Sequence, residues 1–598
     1  MNNLLPRPEH PRPDFQRDTF CNLNGLWQFA FDDEDRGLAE KWYTPDYPLD
    51  KEILVPFAYQ TKMSGLGPTD EIHPFLWYRR SFTLPESMQG KRVLLRFGAV
   101  DFKADVYVNG QHAGRHIGGY TPFALDITTL LQEGMNDLCL RVEDQPDCTQ
   151  PRGKQNWSRG LMGCWYTPVS GIWQTVYLEA VGDTAMTRIH VTPDVDRHMF
   201  TAEIALDKPA QDGMELELTV TYNGQIHRKL RTSVQDRTTR VPVDMMTHGE
   251  MNSIHTWEPE HPNLYDLKVR LLKDDREVDA VTTYFGMRKV EVHDGKVYLN
   301  NHPLYQRLIL DQGYWPDSNI TPPSDEALQT DIRYTKAFGY NGARKHQKLE
   351  DPRFYYWADK MGLLVWGEVP SAYDFCDDEV HNLTQTLTDF IDRDYNHPCI
   401  ITWVPLNESW GVPQISMDRK QLSLARMLYH LTKALDGTRL CSSNDGWEQG
   451  TTDICALHDY MDTAEGMALH FADRMEVEDH VCDLHRCYAN GEVCTGEEAF
   501  MVTEYGGIAF TNIGIQGDMG GMATWGYHDK VTDEEAFFHR FQGVTDAIRE
   551  IPYCQGYCYT QLTDVMQEIN GLLTPDRKPK MDVERFREMN RAPEGITY

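Results

Sequence analysis

At 598 residues the chain is longer than one hydrophobic core organises, so about two to four domains are expected. Its formal net charge of −33 argues against phosphate backbones and anionic membrane surfaces as partners, which need a basic footprint, and otherwise serves solubility. Apolar residues make up 40%, as in soluble globular proteins, with 14 Trp, 29 Tyr and 23 Phe to fill cores and offer flat faces.

The N-terminus, Met1 to Pro8, has neither the basic start nor the apolar stretch of a secretory signal, and no segment reaches the roughly 18 uninterrupted apolar residues of a membrane span. The 13 cysteines, an odd number scattered from Cys21 to Cys558, read as reduced thiols. A cytoplasmic protein without nucleic-acid or membrane partners is expected.

From about residue 20 to 180, short alternating runs such as Gly25–Phe31 and Trp77–Leu84 are separated by Gly, Asn, Asp and Pro. Val106-Tyr107-Val108 runs into Asn109-Gly110, a dipeptide that tolerates the positive φ of a two-residue hairpin. Thr175–Glu179 closes the series. Residues 1–181 therefore read as a jelly-roll β-sandwich. Residues 182–287 repeat the strand character on a smaller scale, with Glu215–Tyr222 before Asn223-Gly224 and with Asp266, Lys268 and Arg270 marking a solvated strand face. That pattern predicts an immunoglobulin-like sandwich.

Past residue 290 the rhythm becomes strand, helix, strand. Ser324 is an N-cap for a helix with Leu328, Ile332 and Thr335 or Phe338 at helical spacing, which Gly339 ends. Asp351-Pro352 opens a second helix whose inner stripe is expected at Phe354, Trp357 and Met361; Gly362 ends it and Leu363–Trp366 is the next strand. Residues 288–598 therefore read as a (β/α)₈ TIM barrel, with the active site where its strands end.

Two apolar runs, Ile400–Leu406 and Phe500–Thr503, lead into Asn407-Glu408 and Glu504. A carboxylate at the end of a buried strand is costly unless it is paired or used. Glu368, Glu408 and Glu504 all fall near expected strand ends, where any single Glu is equally readable as a helix cap. For Glu408 and Glu504 together the chemical reading is stronger. Glycosidic-bond hydrolysis needs one carboxyl that protonates the leaving oxygen and one ionised carboxylate across the anomeric carbon. At about 5–5.5 Å separation the second is a nucleophile and configuration is retained.

The three-part layout, Asn407-Glu408 after a Trp403-containing strand, Thr503-Glu504-Tyr505-Gly506 and the Gly171–Glu179 close of the first domain together resemble glycoside hydrolase family 2. That family contains β-galactosidases, β-glucuronidases and β-mannosidases, and the resemblance runs from about residue 20 to 598. It implies Glu408 as general acid/base, Glu504 as nucleophile, Asn407 as a hydrogen-bonding partner of the sugar 2-hydroxyl, and Tyr460 as a phenol that steadies Glu504. A packed core tyrosine is the alternative for Tyr460. No cofactor or metal is implied, the substrate is a carbohydrate, and a homo-oligomer is expected because the family is often dimeric or tetrameric.

Several segments depart from the family pattern. Where well-studied members have Arg-Thr-Ser-His after the second barrel strand, this chain has Arg344-Lys345-His346-Gln347-Lys348. Arg344 and His346 are candidate substrate contacts, a substrate carboxylate is conceivable there, and pairing of Arg344 with Glu504 or Glu408 is the structural alternative. β-Glucuronidases carry an Asn-x-Lys pair where this chain has Glu568 and Asn570. A Glu there repels a uronate, which favours a neutral glycoside such as a galactoside. The first barrel strand keeps only Asp311 of the usual pattern, and with Tyr559 in the last strand this suggests a less characterised branch, open to arabinofuranosidase or galactofuranosidase activity.

Gln150–Trp157 reads as an exposed loop, with the alternative that it lines the substrate site. Cys482, His485, Cys487 and Cys494 have metal-ligand chemistry but no regular zinc spacing, so none is assigned. The expectation is a retaining exo-β-glycosidase, first a β-galactosidase, with β-glucuronidase or β-galacturonidase and the furanosidases as alternatives. A non-catalytic carbohydrate-binding protein is the rival from another class.

Overall fold

The computed structural model describes residues 5–160, 162–246, 254–479, 481–482, 485–510 and 524–591. The first unit is a jelly-roll sandwich. A four-stranded sheet (Phe20–Asn22, Val176–Val181, Arg92–Phe97, Phe123–Asp126) faces a six-stranded one built around Phe75–Thr83 and Met135–Glu143. Trp27, Phe29, Tyr78, Leu95, Phe97 and Leu178 are among the side chains that fill the space between them. The Asn109-Gly110 turn has φ of 51° and 76°, and Lys103–Val108 pairs antiparallel with Gln111–Ile117 across it.

The second unit is a smaller sandwich of three strands (Met186–Asp194, Met199–Leu206, Thr238–Asp244) against four (Gln225–Ser233, Met214–Tyr222, Tyr265–Lys273, Arg276–Phe285). Along Tyr265–Lys273, Asp266 and Lys268 face solvent and Tyr265, Leu267 and Val269 are buried, the period-two pattern of a half-covered sheet. Its core is separate from that of the first sandwich.

The third unit is a parallel barrel. Its strands are β1 (Gln306–Asp311), β2 (Gly342–Lys345), β3 (Leu364–Glu368), β4 (Ile400–Val404), β5 (Leu440–Cys441), β6 (Ile454–His458), β7 (Ala499–Gly506) and β8 (Cys554–Thr560), paired in the order β5-β4-β3-β2-β1-β8-β7-β6. Between β5 and β6, Asp453 N donates to Cys441 O at 2.9 Å and Cys441 N to Asp453 Oδ2 at 2.9 Å. No helix stands between these two strands among the described residues.

Helix caps follow the sequence expectation. Ser324 Oγ accepts from Ala327 N, Asp351 caps the helix that Pro352 opens, and Gly362 ends it in the left-handed region at φ 71°. The inner stripe of that second helix differs: Phe354, Tyr355 and Ala358 are buried, whereas Trp357 and Met361 are half-buried. The stripe is rotated because the helix also packs against the second sandwich, where Trp257 Nε1 donates to Asp359 O at 2.8 Å and Tyr284 OH to Asp359 Oδ2 at 2.9 Å.

Candidate active site

Glu408 lies in the loop just beyond β4. It and Ser409 have φ of 53° and 57°, and two consecutive non-glycine residues in the left-handed region cost about 1–3 kcal/mol each. The β5–β6 segment holds them there. Glu408 N donates to Asp445 O at 2.8 Å, Asp445 N to Leu406 O at 2.9 Å, and Ser409 N to Asn444 Oδ1 at 3.0 Å. Glu504 lies within β7, not beyond its end, where pairing with β6 slips register between Leu457/Val502 and His458/Glu504. Such a bulge re-aims a side chain.

One oxygen of Glu408, one of Glu504 and a ring nitrogen of His458 lie within 4.8 Å of one another. His458 Nδ1 is 2.8 Å from Glu408 Oε1, and its Nε2 is 3.5 Å from Glu504 Oε1 and 3.6 Å from Asp445 Oδ1. Burial alone would neutralise this imidazole, but Glu504, Asp445 and Glu408 raise it to about 10. Burial likewise opposes ionisation of Glu408, yet His458 together with Lys154 and His346 lowers it to about 2. These opposite shifts favour an ionised Glu408 beside a protonated His458. The Glu408, His458 and Glu504 donors would suit a cation, but a metal would have to displace that proton.

Arg344, on β2, has no solvent exposure and ties the floor together. Its Nε is 2.7 Å from Glu368 Oε1, Nη1 is 3.2 Å from Glu504 Oε1, and Nη2 lies 2.9 Å from Asp445 Oδ2 and 3.0 Å from Asn407 Oδ1. Burial works against the charges of Arg344, Glu368 and Asp445. Nevertheless Arg344, with His458 and Thr503, holds Asp445 down to about 2, and Arg344 with His346 holds Glu368 below the usual carboxylate range. Tyr460 OH donates to Glu504 Oε2, and its ring stacks on Tyr527 at 3.4 Å between centroids. Burial and the Glu504 charge both keep this phenol protonated.

The other expected contacts divide. Asn407 Nδ2 is buried without a partner among the described residues. His346 Nδ1 pairs with Glu368 Oε2 at 2.9 Å and stands 4.0 Å from Glu504. Both oxygens of Asp311 are engaged, Oδ2 with Lys345 Nζ at 2.8 Å and Oδ1 with Gly313 N at 2.9 Å, so this buried residue braces the barrel floor. Lys345 and Lys348 each lie 2.9 Å from Glu350, which neutralises the basic run.

Tyr559 does not line the site. It packs among Tyr505, Phe541 and Phe586 in the layer between barrel and helices, because strand alternation turns Thr560 inward and Tyr559 outward. Thr560 Oγ1, 3.2 Å from Tyr460 OH, takes the inner position.

Glu568 and Asn570 are joined at 3.2 Å, Asn570 Oδ1 accepts from Gln561 at 2.7 Å, and Tyr166 OH donates to Glu568. Tyr166 belongs to the first sandwich. Its Gln150–Trp157 segment is not an exposed loop: Gln150, Arg152, Lys154, Gln155 and Asn156 are all buried. Arg152 N and Gly153 N both donate to Ser371 O at 3.0 Å, which docks the segment on the β3 loop. Lys154 is buried facing Cys164, Glu568 and Glu408, and their charges outweigh burial to raise its ammonium above the usual lysine range.

Sequence reasoning did not single out Asp445, His458 or Lys154. β5 has only two residues, too short an apolar run to flag the Asp that follows it. His458 stood beside the named Tyr460 and was the available signal. Among the cysteines considered for metal binding, Cys487 Sγ lies 3.3 Å from Cys455 Sγ and Cys494 Sγ lies 3.2 Å from Glu498; the Cys482 side chain is outside the described residues.

This geometry coincides with three family matches: the sugar binding domain of glycosyl hydrolases family 2 on residues 20–178, glycosyl hydrolases family 2 on 184–288, and the family 2 TIM barrel domain on 290–592. The chain belongs to glycosyl hydrolase family 2. Similar proteins include a β-galactosidase of Thermoanaerobacter pseudethanolicus, 30% identical over 65% of this chain and 50% of that one, and a β-glucuronidase of Streptococcus agalactiae, 24% identical over 66% and 67%. The matched region therefore spans about half the length of the first of these. Solved structures with the same fold include the Ruminococcus gnavus β-glucuronidase in complex with an N1-substituted uronic isofagomine (TM-score 0.77, 18% identity, 96% and 98% coverage). The Bifidobacterium dentium β-glucuronidase with coumarin-3-O-glucuronide is similar (TM-score 0.77, 20% identity, 96% and 97%). No helix among the described residues is long and apolar enough to cross a membrane.

Proposed function

We propose that this protein is a retaining exo-β-glycosidase acting on a neutral glycoside, first a β-galactoside. The observation that carries the reading is the close approach of Glu408 and Glu504, one carboxylate oxygen of each within 4.8 Å of the other, which supports a double-displacement pair over an inverting one. Glu504, paired with Arg344 and oriented by Tyr460, attacks the anomeric carbon. Glu408 delivers the Glu408–His458 proton to the leaving oxygen, then takes a proton from the water that releases the sugar. Asn407, anchored by Arg344 through its carbonyl, offers its free NH₂ to the 2-hydroxyl.

A neutral sugar is favoured because Glu568 and Asn570 stand where β-glucuronidases carry Asn-x-Lys, and because Lys345 and Lys348 are matched by Asp311 and Glu350. A uronide is the competing reading, supported by the buried Lys154 cation facing the site. A panel of nitrophenyl β-galactoside, β-glucuronide, β-galacturonide, α-L-arabinofuranoside and β-galactofuranoside, with the product anomer read by NMR, tests both. Faster uronide turnover overturns the neutral-sugar assignment, an inverted product overturns double displacement, and no turnover of any glycoside favours a carbohydrate-binding protein.

A further inference from the structure

Four half-buried rings cluster on the Glu408 side of the site. Trp410 Nε1 is 3.2 Å from Glu408 Oε2. Trp165 meets Trp410 edge-on at 5.4 Å between centroids, and meets Tyr373 at 5.3 Å and Trp157 at 5.4 Å; Trp157 in turn stacks on Tyr373 at 4.7 Å. Two of these rings come from barrel loops and two from the first sandwich. The sandwich segment that carries Trp165 is tied to the barrel through its backbone. Trp525 Nε1 donates to Gly163 O at 3.0 Å, and Gln567 Nε2 donates to Gly163 O at 2.7 Å and Trp165 O at 3.0 Å.

We infer that Trp157, Trp165, Tyr373 and Trp410 form the leaving-group subsite, a platform for a ring-bearing aglycone, either an aryl group or a further sugar. The inference rests on the acid/base role proposed for Glu408. When the C1–O bond breaks, the Glu504 carboxylate bonds to C1 and the leaving oxygen receives its proton from Glu408. Whatever that oxygen carries must therefore lie on the Glu408 side, where Trp410 stands 3.2 Å from Glu408 and packs edge-on with Trp165. Flat apolar faces beside a hydrogen-bonding carboxylate suit both an aryl ring and the C–H face of a pyranose. The first sandwich thus acts as a specificity element for the leaving group, not only as a buttress.

The test compares one sugar, the best substrate of the wild type, as its nitrophenyl glycoside, its phenyl glycoside, a disaccharide and its glycosyl fluoride. The fluoride carries no ring. Trp165→Ala and Trp157→Ala are expected to lower kcat/KM about tenfold for the three ring-bearing substrates and less than twofold for the fluoride. Trp165→Phe, which keeps a ring, is expected to restore most of the loss. Equal losses on all four substrates, or no loss on any, overturn the platform while leaving the glycosidase reading intact. Failure of the wild type to turn over every substrate, fluoride included, overturns both.

Discussion

Nη1 of Arg344 lies 3.2 Å from Oε1 of Glu504, and neither side chain is more than 5% exposed. The same guanidinium also reaches Glu368 and Asp445. One cation among three carboxylates is a high-stakes arrangement, because removing it leaves buried charges uncompensated. Arg344→Met is expected to lower stability by about 3–5 kcal/mol in urea unfolding. A change below about 1 kcal/mol would show that water or another cation reaches the floor.

The two proposed catalytic carboxylates are separable by leaving group. Glu504→Gln is expected to reduce kcat/KM by about 10⁴-fold or more on every glycoside, since bond formation to C1 is lost. Glu408→Gln should cost about 10²–10⁴-fold on alkyl glycosides, but much less on a dinitrophenyl glycoside whose leaving group needs no proton. The reverse pattern in steady-state kinetics exchanges the two roles.

In the proposed mechanism the leaving oxygen takes the proton that Glu408 shares with His458. With His458 raised to about 10 by its three carboxylate neighbours, the alkaline limb of kcat/KM should lie far above neutrality. In His458→Gln the proton has only Glu408 to sit on, so that limb should move to lower pH. An unchanged limb in the measured pH profile would assign the proton elsewhere.

Gly153 has φ of +60°, and a Cβ there would lie 2.1 Å from Gln347 O. Gly153→Ala therefore must lift the sandwich segment from the β2 loop and carry Lys154 and Trp157 with it. The expected result is an activity loss on ring-bearing glycosides, with faster limited proteolysis within residues 150–166. Wild-type cleavage kinetics would refute the docking argument.

Glu379, in the first turn of the helix after β3, is fully buried with both oxygens unbonded among the described residues. Burial, helped by Asp374, raises it to about 8, so the folded protein keeps a proton that the unfolded chain releases above its ordinary pKa of about 4.5. Stability should fall as pH rises from about 4.5 to 8 and level off above that. Glu379→Gln should raise Tm by an amount that is negligible near pH 4.5 and grows to a plateau above pH 8. A pH-independent gain would point to packing instead of ionisation.

The strongest local signals survived folding because local physics produces them. Asn109-Gly110 turns since both residues accept positive φ, and Ser324, Asp351 and Gly362 bound helices since they satisfy orphan backbone groups. Periodicity exposed the two sandwiches and the barrel, and the apolar runs before Asn407-Glu408 and Glu504 drew attention to those carboxylates.

Where those carboxylates point was decided elsewhere. Asp445 follows a two-residue strand and Lys154 sits in a segment that reads as exposed, yet both are buried beside the site because distant backbone closes over them. Tyr559 and Thr560 are neighbours in sequence and face opposite ways, an outcome set by strand phase within the barrel. A linear chain specifies turns, caps and apolar runs through interactions a few residues long. The Glu408–His458 pair, the charge network on Arg344 and the aromatic wall from two domains depend on contacts between residues far apart in the chain, 50 positions for Glu408 and His458 and 160 for Arg344 and Glu504, which only the packed structure brings within range of a hydrogen bond.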